Sequence, residues 1–197
     1  MRSDISNASA GLTRTQRARR EDIIAAAIAV IDRDGYAAAS IDKIAREAGT
    51  SKGTVLYHFK TKEAVNEAVV SLLFESGAAY MTRHIRAADN RRDKLRAYLT
   101  SNFRFIAEHA AHVNAVHRIQ ENAGIQVDGH EAVAPLRQLL AAGQESGEFG
   151  AFDPEVMALA IRAIVDGASF HFTAHPDIDI EHYIDEAVQL FDKATKP

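Results

Sequence analysis

The chain has 197 residues, of which 47% are hydrophobic, and it carries a formal net charge of -4 at pH 7. This length and composition allow a buried core in one large or two small domains, which excludes an intrinsically disordered protein. Cysteine is absent, which excludes disulfides, cysteine-ligated metals and thiol catalysis. We find no apolar run of membrane-spanning length and no signal-peptide core at the N-terminus, so we expect a soluble, cytoplasmic protein.

The charge is unevenly distributed along the chain. Residues 1–62 hold eleven Lys or Arg against seven Asp or Glu, a net charge of +4, whereas residues 63–197 hold twelve against twenty, a net charge of -8. The overall negative charge argues against a general nucleic-acid binder. A basic N-terminal part, however, can approach phosphate while the acidic remainder avoids non-specific adhesion.

The first predicted elements are a tail and a long helix. Residues 1–12 are polar, rich in Ser and Ala and without periodicity, so we predict a flexible tail. Thr13 followed by Gln16 is a capping-box pattern that starts the helix, and Arg33-Asp34-Gly35 ends it. The first turns carry a basic cluster of Arg14, Arg17, Arg19 and Arg20. Cations are unfavourable at this end of a helix dipole, so we expect either contact with phosphate or a solvated charged face.

Between Ser40 and Lys62 the chain predicts two short helices about a tight turn. Ser40 can cap the first helix, whose apolar residues recur at helical spacing, and Gly49 ends it. Either Thr50 or Ser51 can cap the second helix. Two short helices joined in this way form a helix-turn-helix.

The second of these helices starts with small polar side chains and little apolar bulk. The residues concerned are Thr50, Ser51, Lys52 and Thr54. The first residues of a recognition helix must approach base edges while their amides face phosphate, so this surface suits the major groove. Helix-turn-helix corners also occur in proteins that never touch DNA, so the corner alone does not establish the function.

A longer pattern runs through this region without a gap. It comprises Gly35-Tyr36-Ala37-Ala38-Ala39-Ser40-Ile41, Ile44-Ala45, Ala48-Gly49, Ser51-Lys52-Gly53-Thr54, Tyr57-His58-Phe59 and Lys62-Glu63. The pattern resembles the signature of the TetR (tetracycline-repressor-like) family of bacterial transcription regulators, over roughly residues 14–75. One position departs from it, because the family commonly has Tyr where this chain has Leu56. That Tyr contacts the operator backbone in relatives, so the contact is either missing here or supplied by Tyr57.

The resemblance and the surface chemistry together name candidate DNA contacts. These are Arg17, Ser40, Thr50, Ser51, Lys52, Gly53, Thr54, Tyr57, His58 and Lys62. Arg17 and Lys62 are the expected phosphate contacts, and the residues expected at the groove are Thr50, Ser51, Lys52, Gly53, Thr54, Tyr57 and His58. Thr61 can cap the helix that follows. The resemblance implies that this helix re-aims the recognition helix when a ligand binds.

From residue 87 onward the pattern is helical, without an alternating strand pattern or a glycine-rich phosphate loop. Asn90 can cap one helix, and residues 111–122 are a candidate for another. After a predicted loop at residues 124–129, Pro135 is expected in the first turn of a helix that ends at Ser146.

Two final helices are predicted after the Gly-rich break at residues 147–150. Asp153-Pro154 starts the first, which is so apolar that it should be covered on more than one side. The second has a single apolar stripe. In the family these helices pair with their copies in a dimer interface, so the resemblance implies a homodimer. The alternative is burial of both helices within the monomer.

Histidine is the residue type that raises the question of a metal site. Two groups stand out, namely His109, His112 and His117, and the i, i+4 pair of His171 and His175. There is no HExxH pattern and no acidic cluster at ligand spacing, and Pro176 directly after His175 suggests that the helix has already ended. We therefore predict no metal and no cofactor. No catalytic residues are predicted either, because no nucleophile motif or paired-carboxylate context is present.

Members of the family enclose an effector cavity in the helical body. Candidates to line such a cavity here mix aromatic bulk with hydrogen-bonding groups, namely Phe103, His109, His117 and Phe170. The alternative role for each of them is plain core. The chemical class of the effector cannot be deduced from these residues.

These patterns predict an all-α protein with an N-terminal three-helix helix-turn-helix DNA-binding domain and a larger helical domain that binds a ligand and dimerises. We place the tail at 1–12, the DNA-binding domain at 13–77 with its helix-turn-helix at 40–59, and the second domain at 78–197. The expected function is a repressor that binds a palindromic operator in double-stranded DNA as a dimer and is released by a small-molecule effector. Two alternatives stay open: a helical ligand-binding or enzymatic protein with a vestigial head, and an activator of the same fold.

Overall fold

The structure, a computed structural model, describes residues 13–124 and 129–197. These described residues form nine α-helices and no β-strand, which confirms the predicted all-α fold class. The predicted tail at residues 1–12 lies outside them. The helices are α1 (Arg14–Asp34), α2 (Ile41–Glu47), α3 (Lys52–Phe59), α4 (Lys62–Arg86), α5 (Arg91–Glu108), α6 (Ala110–Ala123), α7 (Gly129–Glu145), α8 (Pro154–Ala174) and α9 (Ile180–Ala194).

The chain folds as two compact units. The described part of the first unit is residues 13–73 with 115–124, and that of the second is residues 74–114 with 129–197. Helices α4 and α6 therefore each contribute residues to both units. The predicted functional division at residues 77 and 78 remains a prediction.

Each unit has its own apolar core. The first is built on fully buried side chains of α1 to α4, including Ile23, Val30, Ile44, Val55 and Val65. The second is built on a larger cluster from α5 and α7 to α9, including Leu95, Phe103, Leu140, Ile161 and Phe191. In both units the buried residues recur at helical spacing, because only one face of each helix meets its neighbours.

Six of the nine helices in the described residues start at side-chain caps that the sequence predicts. Thr13 Oγ1 accepts a hydrogen bond from the Gln16 amide at 3.2 Å, and Gln16 Oε1 accepts one from the Thr13 amide at 2.8 Å, which completes a capping box. Of the two candidate caps for α3, the structure selects Ser51, whose Oγ accepts from the Thr54 amide at 3.1 Å. Comparable caps are formed by Ser40, Thr61, Asn90 and Asp153. Each cap supplies an acceptor to amides that have no partner within the helix.

The prediction that Pro135 lies in the first turn of its helix is wrong. Helix α7 begins at Gly129, so Pro135 lies inside it. Inside a helix proline removes one main-chain donor, and its ring crowds the carbonyl four residues earlier. Burial of Val133, Leu136 and Leu140 on one face favours the helix against these costs.

Helix α8 has apolar side chains on two opposite faces. Ala158, Ile161, Val165, Ala168 and Phe172 are buried in the second unit, whereas Val156, Leu159 and Phe170 are exposed. Among the described residues α8 alone is long and apolar enough, by length and composition, to cross a membrane. Only 33% of its most apolar 18-residue stretch is buried. The expectation that no apolar run reaches that length is therefore wrong, although the core helix of a soluble protein meets the same criterion.

Candidate nucleic-acid interface

The turn between α2 and α3 is built by main-chain hydrogen bonds and one glycine. The Ala48 amide donates to the Ile44 carbonyl at 2.9 Å, and the Thr50 amide donates to the Ala45 carbonyl at 2.9 Å. Gly49 between them has a φ of 59°, in the left-handed region that glycine adopts without strain. The corner therefore turns within a few residues and directs α3 away from α2.

Helix α3 has a buried face and an exposed face. Val55 and Phe59 are buried in the first unit. The exposed face begins with Ser51, Lys52 and Gly53 and continues with Tyr57, which is 60% exposed. This arrangement leaves the N-terminal turn of α3 open to a partner, as major-groove recognition requires.

Most of the predicted groove residues lie at this open turn, and several hold one another in place. The Ser51 and Thr54 hydroxyl groups are 2.9 Å apart. Lys52 Nζ forms an ion pair with Asp42 of α2 at 2.8 Å, and both side chains are more than half exposed. An exposed ion pair contributes little stability, so Lys52 can exchange Asp42 for DNA at small cost. A Cβ added at Gly53 would lie near Ser51 Oγ and no other side chain. Thr50 is half-buried.

Tyr57 and His58 are held by residues of α1. Gln16 Nε2 donates to the Tyr57 hydroxyl at 3.4 Å. Arg20 Nη1 donates to the His58 carbonyl at 2.6 Å, and the Arg20 guanidinium lies 4.1 Å from the centre of the Phe59 ring. The His58 ring meets the Tyr57 ring edge-on, with 5.1 Å between centroids. The N-terminal turns of α1 therefore fix the C-terminal turn of α3.

The electrostatics of His58 follow from this arrangement. Burial lowers the pKa of His58 below its ordinary value, and the positive charges of Arg20, Arg19 and Lys60 lower the pKa further. His58 is therefore surrounded by cations on the surface where a polyanion is expected to bind.

The basic cluster at the start of α1 does not act as one group. Arg20 makes the internal contacts just described, and burial lowers its pKa. Arg19 forms an exposed ion pair with Asp22 at 3.4 Å. Arg17 is exposed, as a phosphate contact requires.

Lys62, the other predicted phosphate contact, is engaged inside the first unit. Its Nζ donates to the Tyr36 carbonyl at 2.9 Å and lies 4.1 Å from the centre of the Tyr36 ring. Burial lowers the pKa of Lys62. These contacts tie the start of α4 to the loop after α1, and a phosphate contact by Lys62 remains a prediction.

A charged network that the sequence analysis missed joins the end of α1 to α2. Arg33 Nη2 lies 2.9 Å from Glu47 Oε2 and 3.1 Å from Asp34 Oδ2, and Lys43 Nζ lies 2.9 Å from the same Asp34 oxygen. Hydrogen bonds, first from Arg33 and then from Lys43, lower the pKa of Asp34. Ser40, which caps α2, lies in the chain between Asp34 and Lys43 of this network and is exposed.

The four candidate effector-pocket residues have different environments. Phe103 is fully buried in the second core and meets Tyr183 edge-on at 5.3 Å between ring centroids. His109 is half-buried and stacks on Phe105 at 4.1 Å between centroids. Phe170 is exposed on α8, whereas His117 belongs to the first unit. Phe103 packs within the second core, and an effector role for each of the four remains a prediction.

Within the described residues, no three His, Asp or Glu side chains are grouped closely enough to hold a metal ion. The predicted i, i+4 pair illustrates what these side chains do instead. His175 follows the last residue of α8, and its Nδ1 lies 3.0 Å from the His171 carbonyl. The ring centroids of His171 and His175 are 4.4 Å apart.

Comparison with known proteins relates part of this chain to bacterial transcription regulators. The family model described as bacterial regulatory proteins, tetR family, matches residues 23–69. The HTH-type transcriptional regulator BetI of Stenotrophomonas maltophilia is 38% identical over 86 residues, which are 43% of this chain and 44% of that protein. The matched part therefore spans less than half the length of that relative.

Two further likenesses extend into the second unit. The fatty acid metabolism regulator protein of Bacillus subtilis is 28% identical over 142 residues, which cover 68% of this chain and 72% of that protein. The crystal structure of a bacterial regulatory protein in the tetR family from Rhodococcus RHA1 has a TM-score of 0.70 and 25% identity, and the match covers 87% of this chain and 95% of that one.

Proposed function

We propose that this chain is a member of the TetR family of bacterial regulatory proteins, whose family model matches residues 23–69, and that it is a sequence-specific DNA-binding transcription regulator that acts in the cytoplasm. Its more specific role is that of a repressor, which occupies a palindromic operator as a homodimer and leaves it when a small molecule binds. The observation that carries the proposal is the exposed N-terminal turn of α3, where Ser51, Lys52 and Gly53 present small polar groups on a bare surface.

The chemistry of that turn supports base recognition. A lysine can donate to guanine O6 and N7, and hydroxyl groups can donate to or accept from several base edges. The absent side chain at Gly53 allows the helix to come close to the floor of the groove. Candidate phosphate contacts flank the turn, and they would fix the register of α3 without reading sequence.

Dimerisation gives the recognition helix its selectivity. One helix reads only a few base pairs, and two helices about 34 Å apart, one turn of DNA, read both halves of a palindrome. The exposed apolar side chains of α8 and α9 support an interface through these last two helices. Leu159 is 45% exposed and Leu190 is 54% exposed, together with Val156 and Phe170. An apolar surface of this kind is costly unless another protein surface covers it.

The effector is the least specified partner. The second unit is the larger of the two and has no part in the helix-turn-helix, so it is free to specialise in ligand binding. A ligand releases the operator only if it binds the non-binding state of the dimer more tightly than the binding state. The candidate lining residues Phe103, His109, His117 and Phe170 do not define the chemical class of the ligand.

Selection from a random-sequence duplex library tests the proposal directly. The purified protein should enrich a palindrome whose half-site centres are about 10 base pairs or a small multiple of that apart. The same selection with the Lys52→Ala variant should relax the preference at one position in each half-site, by about 1–3 kcal/mol if Lys52 reads a base. Failure of the wild-type protein to enrich any sequence would contradict the proposed function.

A further inference from the structure

The main chain immediately after the recognition helix is strained. Lys60 has a φ of 63° and a ψ of -49°, and it is the only non-glycine residue with a positive φ in the described part of the chain. The Thr61 amide donates to the Phe59 carbonyl at 2.6 Å across it. These angles and this hydrogen bond define a γ-turn of the type that is rare and unfavourable for residues with a side chain.

The turn is held in place from both sides. Phe59 before it is buried under the Arg20 guanidinium. After the turn, Thr61 Oγ1 accepts a hydrogen bond from the Ala64 amide at 3.1 Å. Val65, in the first turn of α4, is fully buried. A glycine at position 60 would adopt the same turn without strain. Lysine therefore occupies position 60 although glycine would adopt this main-chain conformation without strain.

The lysine side chain lies on the exposed surface of the recognition helix. Lys60 follows the last residue of α3, and Gly53, Tyr57 and Lys60 are all exposed. Its Nζ is 5.4 Å from the centre of the Tyr57 ring, and Gln16 holds the hydroxyl of that ring. Among the described residues Lys60 forms no ion pair, whereas Lys52 and Arg19 each have an acidic partner.

We propose that Lys60 is a DNA phosphate contact, held at the rim of the recognition surface by the γ-turn and by the ring of Tyr57, and that the strain of the turn is retained for this contact. The inference rests on the proposed function and adds to it a cation that the sequence pattern did not indicate. An exposed ammonium without an acidic partner gains the full attraction of phosphate, because no internal ion pair has to be broken.

Three substitutions at one position separate the contact from the strain. Lys60→Arg keeps the charge and the strain, Lys60→Ala keeps the strain alone, and Lys60→Gly removes both. Their binding is measured across a salt series, on a duplex selected by the wild-type protein and on a scrambled duplex. Their thermal midpoints are measured without DNA.

Lys60→Arg should bind like the wild type. Lys60→Ala and Lys60→Gly should each bind both duplexes about fivefold less tightly at 0.15 M salt for each DNA-binding domain that is engaged. The slope of log affinity against log salt concentration should fall in magnitude by about 1 for each such domain. Lys60→Ala should keep the wild-type midpoint, and Lys60→Gly should melt about 2–4 °C higher. A variant that is more stable and yet binds DNA less tightly cannot be explained by damage to the fold.

Each contrary result has a distinct meaning. If Lys60→Ala bound both duplexes as tightly as the wild-type protein does, the phosphate contact would be wrong. The proposed function would still hold if the wild-type protein enriched a sequence in the library selection. An unchanged or lower midpoint of Lys60→Gly would overturn the role of strain. A wild-type protein that binds no duplex even at low salt would overturn this inference and the proposed function together.

Discussion

The guanidinium of Arg20 in α1 donates a hydrogen bond to the main-chain carbonyl of His58, in the last turn of α3, at 2.6 Å. The last carbonyl groups of a helix have no donor within the helix, and a cation near them is favoured by the helix dipole. The same guanidinium lies over the Phe59 ring. One side chain of α1 therefore caps the recognition helix and fixes its C-terminal end.

Replacing Arg20 by methionine should weaken both the fold and DNA binding. The His58 carbonyl would lose its charged donor, at a cost of about 1.5–3 kcal/mol in the free energy of unfolding. Operator affinity should fall as well, because the angle of α3 is less well defined. Chemical denaturation and duplex binding measure the two effects.

Arg17→Met is the matched control for this prediction. Arg17 is exposed on the same helix, so its loss should lower affinity equally on all duplexes and leave the free energy of unfolding unchanged. If Arg20→Met were as stable as Arg17→Met, the capping role of Arg20 would be wrong.

Replacing Gly53 by alanine should raise stability and lower operator affinity. A Cβ at this position would meet only Ser51 Oγ, at 3.7 Å, and the φ of Gly53 lies outside the left-handed region. Alanine is favoured over glycine by about 0.5–1 kcal/mol in a helix interior, so a gain of up to about this size is expected at Gly53, the second residue of α3. The added methyl group would nevertheless stand between α3 and the bases.

Thermal unfolding and binding to a selected duplex check this pair of opposite changes. Gly147→Ala is a useful contrast, because its φ of 73° makes alanine unfavourable although the space is open. It should lower the melting temperature without altering DNA affinity. A Gly53→Ala variant with unchanged affinity would show that α3 does not approach the groove through this residue.

The parts of this structure that the sequence predicts are those set by neighbours within a few residues. The Thr13–Gln16 capping box, the Ser51 cap and the Gly49 turn each depend on side chains and angles within one turn of helix. The helix-turn-helix was therefore predictable, and so was the exposed polar start of α3. Local chemistry acts in the same way whatever surrounds it.

The parts that the sequence does not predict depend on residues far apart in the chain. Arg20 and His58 are separated by 38 positions, and Lys62 and Tyr36 by 26. The residues adjacent to Arg20 and Lys62 in the sequence do not indicate that these side chains donate hydrogen bonds to main-chain carbonyls elsewhere in the protein. The positive φ of Lys60 is equally hidden, because Phe59-Lys60-Thr61 contains no residue that favours it.

Acidification should destabilise the protein in part through His58. The pKa of His58 in the folded protein lies below its ordinary value of 6.5, mainly through burial and then through the charges of Arg20, Arg19 and Lys60. As the pH falls, His58 therefore binds a proton in the unfolded chain before it does so in the folded protein. The contribution of His58 to the free energy of unfolding is fully present above pH 6.5 and is lost as the pH falls through the lower pKa of the folded state.

Urea unfolding of the wild type and of His58→Gln between pH 7.5 and pH 5 measures this contribution. The two proteins differ only at residue 58, so the informative quantity is the difference between the two curves. The wild type should lose more stability than His58→Gln over this range. Parallel curves would mean that the pKa of His58 is the same in the folded and unfolded states.

Charges placed on the exposed apolar side of α8 and α9 should dissociate the dimer. Leu159→Glu and Leu190→Glu each place a carboxylate where the proposed interface is apolar. Burying an unpaired charge there costs about 3 kcal/mol or more, so the dimer dissociation constant should rise roughly a hundredfold or more. Analytical ultracentrifugation measures this constant, and operator affinity should fall with it.

Gln138→Glu on α7 adds the same charge at another exposed position and should leave the dimer intact. Wild-type dissociation constants for both leucine variants would place the interface elsewhere on the chain.

The most direct experiment is binding of the purified protein to its own upstream intergenic DNA, against a scrambled duplex of equal length, across a salt series. If the first unit contacts both base edges and phosphates, as we propose, binding should be tight, should select the upstream sequence and should weaken steeply as salt rises. Equal and weak binding to the two duplexes, together with no enriched sequence in the library selection, would contradict a DNA-binding regulator.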